Sequence, residues 1–165
     1  MLGLIKKVYS YRGEIGAIAF FILYPFFSPK EEVLLWTFLL LGVGLFLRAW
    51  ARGYIGEKSA SEKMEIREVH NSGIYKIRHP LYLGNFFLTL GVLLYASPPT
   101  FLFFLFFSLF LIEYLSFIYL EEVFRKGKKS IEEKFSLKRS LLEVKTVFIL
   151  FLIFFLLYLK TWKGS

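Results

Sequence analysis

Long apolar stretches, separated by short polar segments, dominate the amino-acid sequence. Residues 81–112 contain no charged side chain. A single helix of that length would extend roughly 48 Å at ~1.5 Å per residue, which exceeds the ~30 Å hydrocarbon core of a bilayer. The stretch must therefore fold back on itself, and the Ser-Pro-Pro-Thr sequence at 97–100 is the only plausible turn within it. This pattern predicts one helix from about Pro80 to Ala96 and a second from Thr100 to about Glu122.

Three further apolar stretches, at 15–27, 33–47 and 146–159, extend the pattern to five candidate membrane spans. We therefore predict an all-α fold, a polytopic membrane helix bundle of about five transmembrane helices with a cofactor pocket on its cytoplasmic side. The stretches at 15–27 and 33–47 are short for full spans, so we expect tilt or local thinning of the bilayer. The basic flank of the first stretch also fits a signal peptide, but no small-x-small cleavage pattern follows it.

The chain of 165 residues shows no internal repeat and no low-complexity linker. We therefore expect one integral membrane domain over 1–165. Within it we place a motif core at 48–122 and an extra C-terminal helix at 146–162.

The composition fits a membrane protein and excludes several kinds of chemistry. Hydrophobic residues make up 56% of the chain, more than the ~45–50% of an ordinary soluble domain. The absence of cysteine excludes disulfides, thiol catalysis and cysteine metal sites. Aspartate is also absent, so all 13 side-chain carboxylates are glutamates. Two histidines are too few for a zinc site without glutamate ligands, and we expect no metal.

Lysine and arginine are distributed unevenly between the segments that connect the spans. Alternate segments carry 18 and 3 of the 21 basic residues, which is a strong positive-inside asymmetry. We therefore predict a multi-pass protein whose N-terminus and basic segments at 48–78 and 125–145 are cytoplasmic. The same rule places the C-terminus outside. Reactions with soluble molecules are then expected at the cytoplasmic face.

The segment 71–84 carries the most informative local pattern. Ser72 and Gly73 predict a turn, and a residue that precedes proline, as His79 does, disfavours helical geometry. Pro80 suits the first position of a membrane helix, whose start favours an anionic ligand group. Gly84 and Gly91 permit close approach of a neighbouring helix or ligand. A simpler alternative is a basic anchor beside an interfacial aromatic belt.

The motif Gly73-x-Tyr75-x-x-Arg78-His79-Pro80-x-Tyr82-x-Gly84, with Glu121-Glu122 ending the second following helix, resembles the isoprenylcysteine carboxyl methyltransferase family. That superfamily also includes phospholipid N-methyltransferases and, more distantly, membrane sterol reductases. The resemblance covers about 48–122 and implies a methyltransferase that uses S-adenosylmethionine. The residues that it implies as cofactor contacts are Arg67, Glu68, Val69, His70, Tyr75, His79, Pro80, Leu81, Tyr82 and Glu121.

Three residues of the second helix of this hairpin are candidates for a substrate pocket, namely Glu113, Phe117 and Glu122. A carboxylate as deep as Glu113 is expected to be protonated or paired, either between helices or in the pocket. Phe117 stands where isoprenylcysteine methyltransferases carry an arginine for the substrate carboxylate. That departure leaves the cofactor prediction in place but weakens prenylcysteine as the substrate. No catalytic residue can be named from the sequence.

The sequence thus predicts methyl transfer from S-adenosylmethionine to a lipid-borne acceptor at the cytoplasmic membrane face. The acceptor is a prenylcysteine-type carboxylate or a lipid amine. The expected partners are therefore a membrane lipid or prenylated substrate and the lipid bilayer. No nucleic acid is expected as a partner. Two alternatives stay open. One is a membrane reductase that uses a nicotinamide nucleotide on a related scaffold, and the other is a non-enzymatic membrane protein.

Overall fold

The computed structural model describes residues 11–55, 69–70, 73–77, 79–125, 128 and 130–164. Two predicted cofactor contacts, Arg67 and Glu68, lie outside the described residues, as does Arg78 of the motif. Val69 and His70 are described through their backbone alone.

The described residues form an all-α fold, as predicted. The α-helices are α1 (Arg12–Leu23), α2 (Leu34–Gly53), α3 (Pro80–Ala96), α4 (Thr100–Arg125), the single turn α5 (Leu137–Ser140) and α6 (Val144–Gly164). Short 3₁₀ turns lie at Tyr24–Phe26, Glu31–Val33, Gly73–Lys76 and Leu141–Glu143. The β-structure among the described residues is one parallel pair, β1 (Val69–His70) with β2 (Ser130–Ile131).

Three of the described helical segments are long and apolar enough to cross a membrane. They are Glu31–Gly53, Thr100–Phe124 and Leu137–Trp162, whereas Gly13–Phe26 and Pro80–Ala96 are apolar but shorter. The prediction of a membrane helix bundle is therefore confirmed. Among the described residues, three long apolar helices and two shorter ones come near the predicted count of about five. The shorter helices have local causes. α1 gives way to a 3₁₀ turn that contains Pro25, and α3 is bounded by Pro80 and the turn at 97–99.

The predicted turn at 97–100 is confirmed residue by residue. α3 ends at Ala96, Ser97 adopts a left-handed conformation with φ +42°, and α4 begins at Thr100. The Ser97 hydroxyl donates a hydrogen bond of 2.9 Å to the carbonyl oxygen of Leu94. This bond satisfies one of the carbonyl groups that a helix end leaves without an intrahelical partner.

Helices α2 and α3 approach each other closely because glycines lie at their contact. A Cβ atom at Gly84 would lie 2.6 Å from Cγ of Arg48 and 3.0 Å from the carbonyl oxygen of Gly44. A Cβ atom at Gly44 would lie 2.8 Å from Cδ2 of Leu88. The predicted close approach at Gly84 is therefore an approach of α2, and its tightness brings Arg48 against the start of α3.

The helices alternate in direction, so that their ends form two separate clusters. At one end, Lys160 donates hydrogen bonds of 2.7 Å to the carbonyl oxygens of Tyr24 and Pro25. At the same end, the backbone N–H of Ser28 donates to the carbonyl oxygen of Ala96 at 2.9 Å. At the other end, Arg48 of α2 meets Glu143, which precedes α6. The alternation agrees with the grouping of basic segments on one side, while the assignment of that side to the cytoplasm stays a prediction.

Candidate functional site

The motif begins at a glycine that no other residue could replace without strain. Gly73 has φ +57°, in the left-handed region that favours glycine. A Cβ atom there would also collide with the ring of Tyr54, just past the end of α2. The 3₁₀ turn that follows buries Ile74 and leaves Tyr75 half-buried. Gly73 therefore fixes the approach of the motif to α2.

His79 stands immediately before α3 in a left-handed conformation, with φ 57° and ψ 48°. The predicted departure from right-handed helical geometry before Pro80 is confirmed. The His79 carbonyl oxygen accepts hydrogen bonds from the backbone N–H groups of Tyr82 at 3.1 Å and Leu83 at 3.2 Å. Such a conformation is costly for a residue with a Cβ atom and persists only where the surroundings hold it.

Those surroundings include two carboxylates from the end of α4. His79 Nδ1 lies 3.3 Å from Oε2 of Glu121, and Nε2 lies 3.0 Å from Oε1 of Glu122. A neutral imidazole donates from only one ring nitrogen, whereas the imidazolium donates from both. Two facing carboxylates therefore favour the protonated ring. The contacts are also shielded from solvent, because the His79 side chain is only 14% exposed.

The same geometry determines how His79 titrates. The hydrogen bond to Glu121 is the largest cause that raises the pKa of His79 above its ordinary value of 6.5. Burial acts in the opposite direction, and the hydrogen bond to Glu122 adds to the increase. The protonated form of His79 is thus favoured at the boundary of the bundle, in contact with both glutamates.

Tyr82, one turn into α3, connects the histidine to α4 a second time. Its hydroxyl donates a hydrogen bond of 2.8 Å to Oε1 of Glu121. Its ring lies edge-on to the His79 ring, with centroids 5.7 Å apart. Glu121 is therefore positioned by two side chains of α3, and the cluster of His79, Tyr82, Glu121 and Glu122 is called the histidine–glutamate cluster below.

An apolar layer supports the histidine–glutamate cluster from within the bundle. Phe117 and Leu120 are each 1% exposed, and Tyr82 and Phe124 pack against them. Phe117, a predicted substrate-pocket residue, is thus a packing residue under Tyr82. Glu113 is half-buried on the same helix, and its predicted place in a substrate pocket stays a prediction.

A second polar group lies along the same face of α3. Arg48 of α2 donates from Nε to Oε2 of Glu143 at 2.9 Å and from Nη2 to Oε1 at 3.2 Å. The Thr146 hydroxyl, in the first turn of α6, donates to Oε2 of Glu143 at 2.7 Å. Arg48 Nη1 donates to Oδ1 of Asn85. Residues of α2, α3 and the segment that leads into α6 therefore share one set of hydrogen bonds.

Asn85 continues this set toward the histidine–glutamate cluster. Its Nδ2 donates a hydrogen bond of 2.7 Å to the hydroxyl oxygen of Tyr114 on α4. The Tyr114 ring lies edge-on to the Tyr82 ring, with centroids 5.3 Å apart and planes at 90°. The polar groups thus form one continuous series of contacts from Glu143 to His79.

Sequence reasoning found part of this arrangement. It named His79, Tyr82, Glu121 and Glu122, which the structure brings into contact across 39 to 43 residues of sequence. Pro80 is buried at the start of α3 and Leu81 is half-buried beside it. The roles of Asn85, Tyr114, Glu143 and Thr146 were missed. Asn85 could have been found, because an amide in a stretch without charges requires a partner.

An open groove of about 350 Å³ lies beside the motif. It is lined by Phe46, Ala49, Trp50, Tyr54, Phe135 and Ser140. The Ser140 hydroxyl donates to the carbonyl oxygen of Ala49 at 2.8 Å, so the lining is effectively apolar. Tyr54 borders both this groove and Gly73. The groove therefore adjoins the turn that leads to His79.

Comparison of the chain with protein-family models, with curated proteins and with solved structures finds no match.

Proposed function

We propose that this protein is an integral membrane methyltransferase that uses S-adenosylmethionine to methylate an amine carried by a membrane lipid. The observation that carries the proposal is the histidine–glutamate cluster. It joins the two sequence elements of the methyltransferase resemblance, the His79-Pro80-x-Tyr82 start of α3 and the Glu121-Glu122 end of α4, at one place. The location at the boundary of an apolar bundle suits a soluble cofactor and a lipid-borne acceptor.

The side chains of the histidine–glutamate cluster fit the chemistry of this cofactor. S-adenosylmethionine supplies a methyl group bound to a positively charged sulfonium, and it also carries an ammonium and a carboxylate. A carboxylate offers about four acceptor positions, so Glu121 can hold Tyr82 and His79 and still bind an ammonium. The Tyr82 ring suits a cation–π contact with the sulfonium. The start of α3 suits the carboxylate.

Positioning and exclusion of water are the main contributions that these residues would make. Methyl transfer is an in-line displacement in which the acceptor nitrogen forms a bond to the methyl carbon as the carbon–sulfur bond breaks. Alignment of two bound reactants can supply about 7–11 kcal/mol of the barrier. The layer of Phe117 and Leu120 behind Tyr82 keeps water away from one side of the cluster. No covalent intermediate with the protein is required.

The charges of the described residues favour an amine over a carboxylate as the acceptor. A carboxylate at the membrane boundary requires a cationic partner, because an unpaired ion there is costly. His79 is already in contact with Glu121 and Glu122, and Arg48 is already paired with Glu143. Phe117 takes the place of the arginine expected for a prenylcysteine carboxylate. An amine reacts in its neutral form and requires no such cationic partner.

Amine methylation requires a proton to leave the nitrogen before or during transfer. The imidazolium of His79 has no lone pair with which to accept that proton. Glu122 is therefore the better candidate for the proton acceptor, because Glu121 is assigned to the ammonium of the cofactor. His79 would hold both side chains in place. This division of roles follows from the two ring-nitrogen contacts of His79.

Cofactor binding tests the proposal directly. We expect the purified protein in detergent to bind S-adenosylhomocysteine in a calorimetric titration and not to bind NADPH. Binding of NADPH alone would favour a membrane reductase. Binding of neither would favour a basic membrane anchor without enzymatic activity.

The acceptor class is tested with methyl-labelled S-adenosylmethionine. We expect label in the amine-bearing lipids of a membrane extract and little label in a prenylcysteine analogue assayed in parallel. The reason is that His79 and Arg48 already have carboxylate partners. Strong labelling of the prenylcysteine analogue would contradict the amine assignment. It would require a basic residue to replace the arginine that is missing at Phe117.

A further inference from the structure

The ion pair of Arg48 and Glu143 lies apart from the histidine–glutamate cluster, yet it is connected to it through side chains. Arg48 is 19% exposed and Glu143 is 11% exposed, and two nitrogens of the guanidinium face two carboxylate oxygens. The third nitrogen, Nη1, is directed at Asn85 instead. The guanidinium therefore binds side chains of α3 and of the segment that leads into α6.

The direction of each hydrogen bond in this series is determined by Arg48. A guanidinium has only donors, so the Asn85 side chain must present its oxygen to Arg48. The Asn85 nitrogen is then directed at Tyr114, whose hydroxyl oxygen accepts the bond at 2.7 Å. A reversed amide would place nitrogen against nitrogen at Arg48. The position and hydrogen-bond direction of Tyr114 thus depend on a charge on another helix.

We propose that Arg48 is a positioning residue for the cofactor site, held by Glu143 from the segment before α6, and that it acts through Asn85 on Tyr114 and the adjoining Tyr82. This inference rests on the proposed function for its ligand. It deepens that function by giving the C-terminal helix a role in the site. Tyr82 in turn donates to Glu121, so displacement of Tyr114 would reach a predicted cofactor contact.

Helix α6 offers a matched control, because it is anchored at both ends by charged side chains. Glu143 and Thr146 hold its start, and Lys160 holds its end through the carbonyl oxygens of Tyr24 and Pro25. A purely structural role for Arg48 and Glu143 predicts the same consequences from the loss of either anchor. A positioning role predicts that only the anchor at Glu143 affects the site.

The experiment compares Glu143→Gln, Asn85→Asp and the control Lys160→Met. Asn85→Asp keeps an oxygen for Arg48 but removes the donor to Tyr114, so it tests the series without breaking the ion pair. Titration with S-adenosylhomocysteine measures ligand binding. Fluorine NMR of protein labelled with 3-fluorotyrosine reports on Tyr114 without any ligand, with its signal assigned by Tyr114→Phe. Thermal unfolding in detergent measures stability.

We expect Glu143→Gln and Asn85→Asp to weaken S-adenosylhomocysteine binding by about 3- to 30-fold and to shift the Tyr114 signal. Lys160→Met should lower the unfolding temperature while leaving both readouts as in the wild type. An unchanged Tyr114 signal in Glu143→Gln, or equal changes in Lys160→Met, would overturn the positioning role. If the wild type binds no S-adenosylhomocysteine, the proposed function fails, and the fluorine signals alone decide whether Arg48 positions Tyr114.

Discussion

Replacement of His79 by alanine, or of Glu121 by glutamine, is expected to weaken S-adenosylhomocysteine binding by about 1–3 kcal/mol each, which corresponds to roughly five- to 150-fold in affinity. His79→Ala removes the cation that holds both Glu121 and Glu122. Glu121→Gln removes the charge that would pair with the ammonium of the ligand. It also converts the carboxylate that accepts the Tyr82 hydrogen bond into an amide. Calorimetric titration of the purified variants measures both effects.

Two substitutions outside the histidine–glutamate cluster serve as controls for that prediction. Glu132→Gln removes an exposed carboxylate, and Tyr119→Phe removes a hydroxyl from an exposed side chain of α4. Neither is expected to change the affinity by more than twofold. Equal and small effects in all four variants would contradict the cofactor site and favour the alternative of a membrane anchor.

The contact between α2 and α3 is expected to give the largest effect on stability. Gly84→Ala places a Cβ atom 2.6 Å from Cγ of Arg48 and 3.0 Å from the backbone oxygen of Gly44. Backbone cannot yield as a flexible side chain can, so the helices must separate. We expect a loss of about 1–3 kcal/mol in the free energy of unfolding. Unfolding of the purified protein by titration with denaturing detergent measures that loss.

Gly42→Ala on α2 is the matched control for Gly84→Ala. A Cβ atom at Gly42 meets nothing within 4 Å. The same chemical change there should be neutral or stabilise the helix by up to about 1 kcal/mol, because alanine loses less conformational freedom than glycine. If both variants were destabilised alike, glycine flexibility rather than close helix packing would explain the result.

Local chemistry allowed several element boundaries to be predicted closely. Pro80 begins α3, and Ser97 ends it, because proline lacks a backbone N–H group and restricts the residue before it. The start of α4 at Thr100 follows from the same turn. These boundaries depend on neighbours in the sequence, so no tertiary information is needed to place them.

Boundaries that depend on distant partners were predicted less well. Hydropathy ends the second span at 47, because Arg48 is charged, yet α2 continues to Gly53. The helix can keep Arg48 within its length because Glu143, 95 residues away in the sequence, neutralises it. The last apolar stretch likewise ends at 159, yet the helix continues to Gly164, two residues past its predicted end at 162. Lys160 lies within this helix because carbonyl oxygens of the turn after α1 accept its hydrogen bonds.

The sequence by itself determined the all-α membrane class, the hairpin of α3 and α4, and the residue types of the histidine–glutamate cluster. These follow from the lengths of the hydrophobic stretches, the positions of the prolines and one sequence motif. All of these can be read from the residue types along the chain. Only the tertiary structure decided which of the 13 glutamates serves Arg48 and which hydrogen-bond direction Asn85 adopts. Pairing between helices depends on rotation and depth in the bundle. Close contact at glycines such as Gly84 sets both, and the spacing of residues along one helix does not encode them.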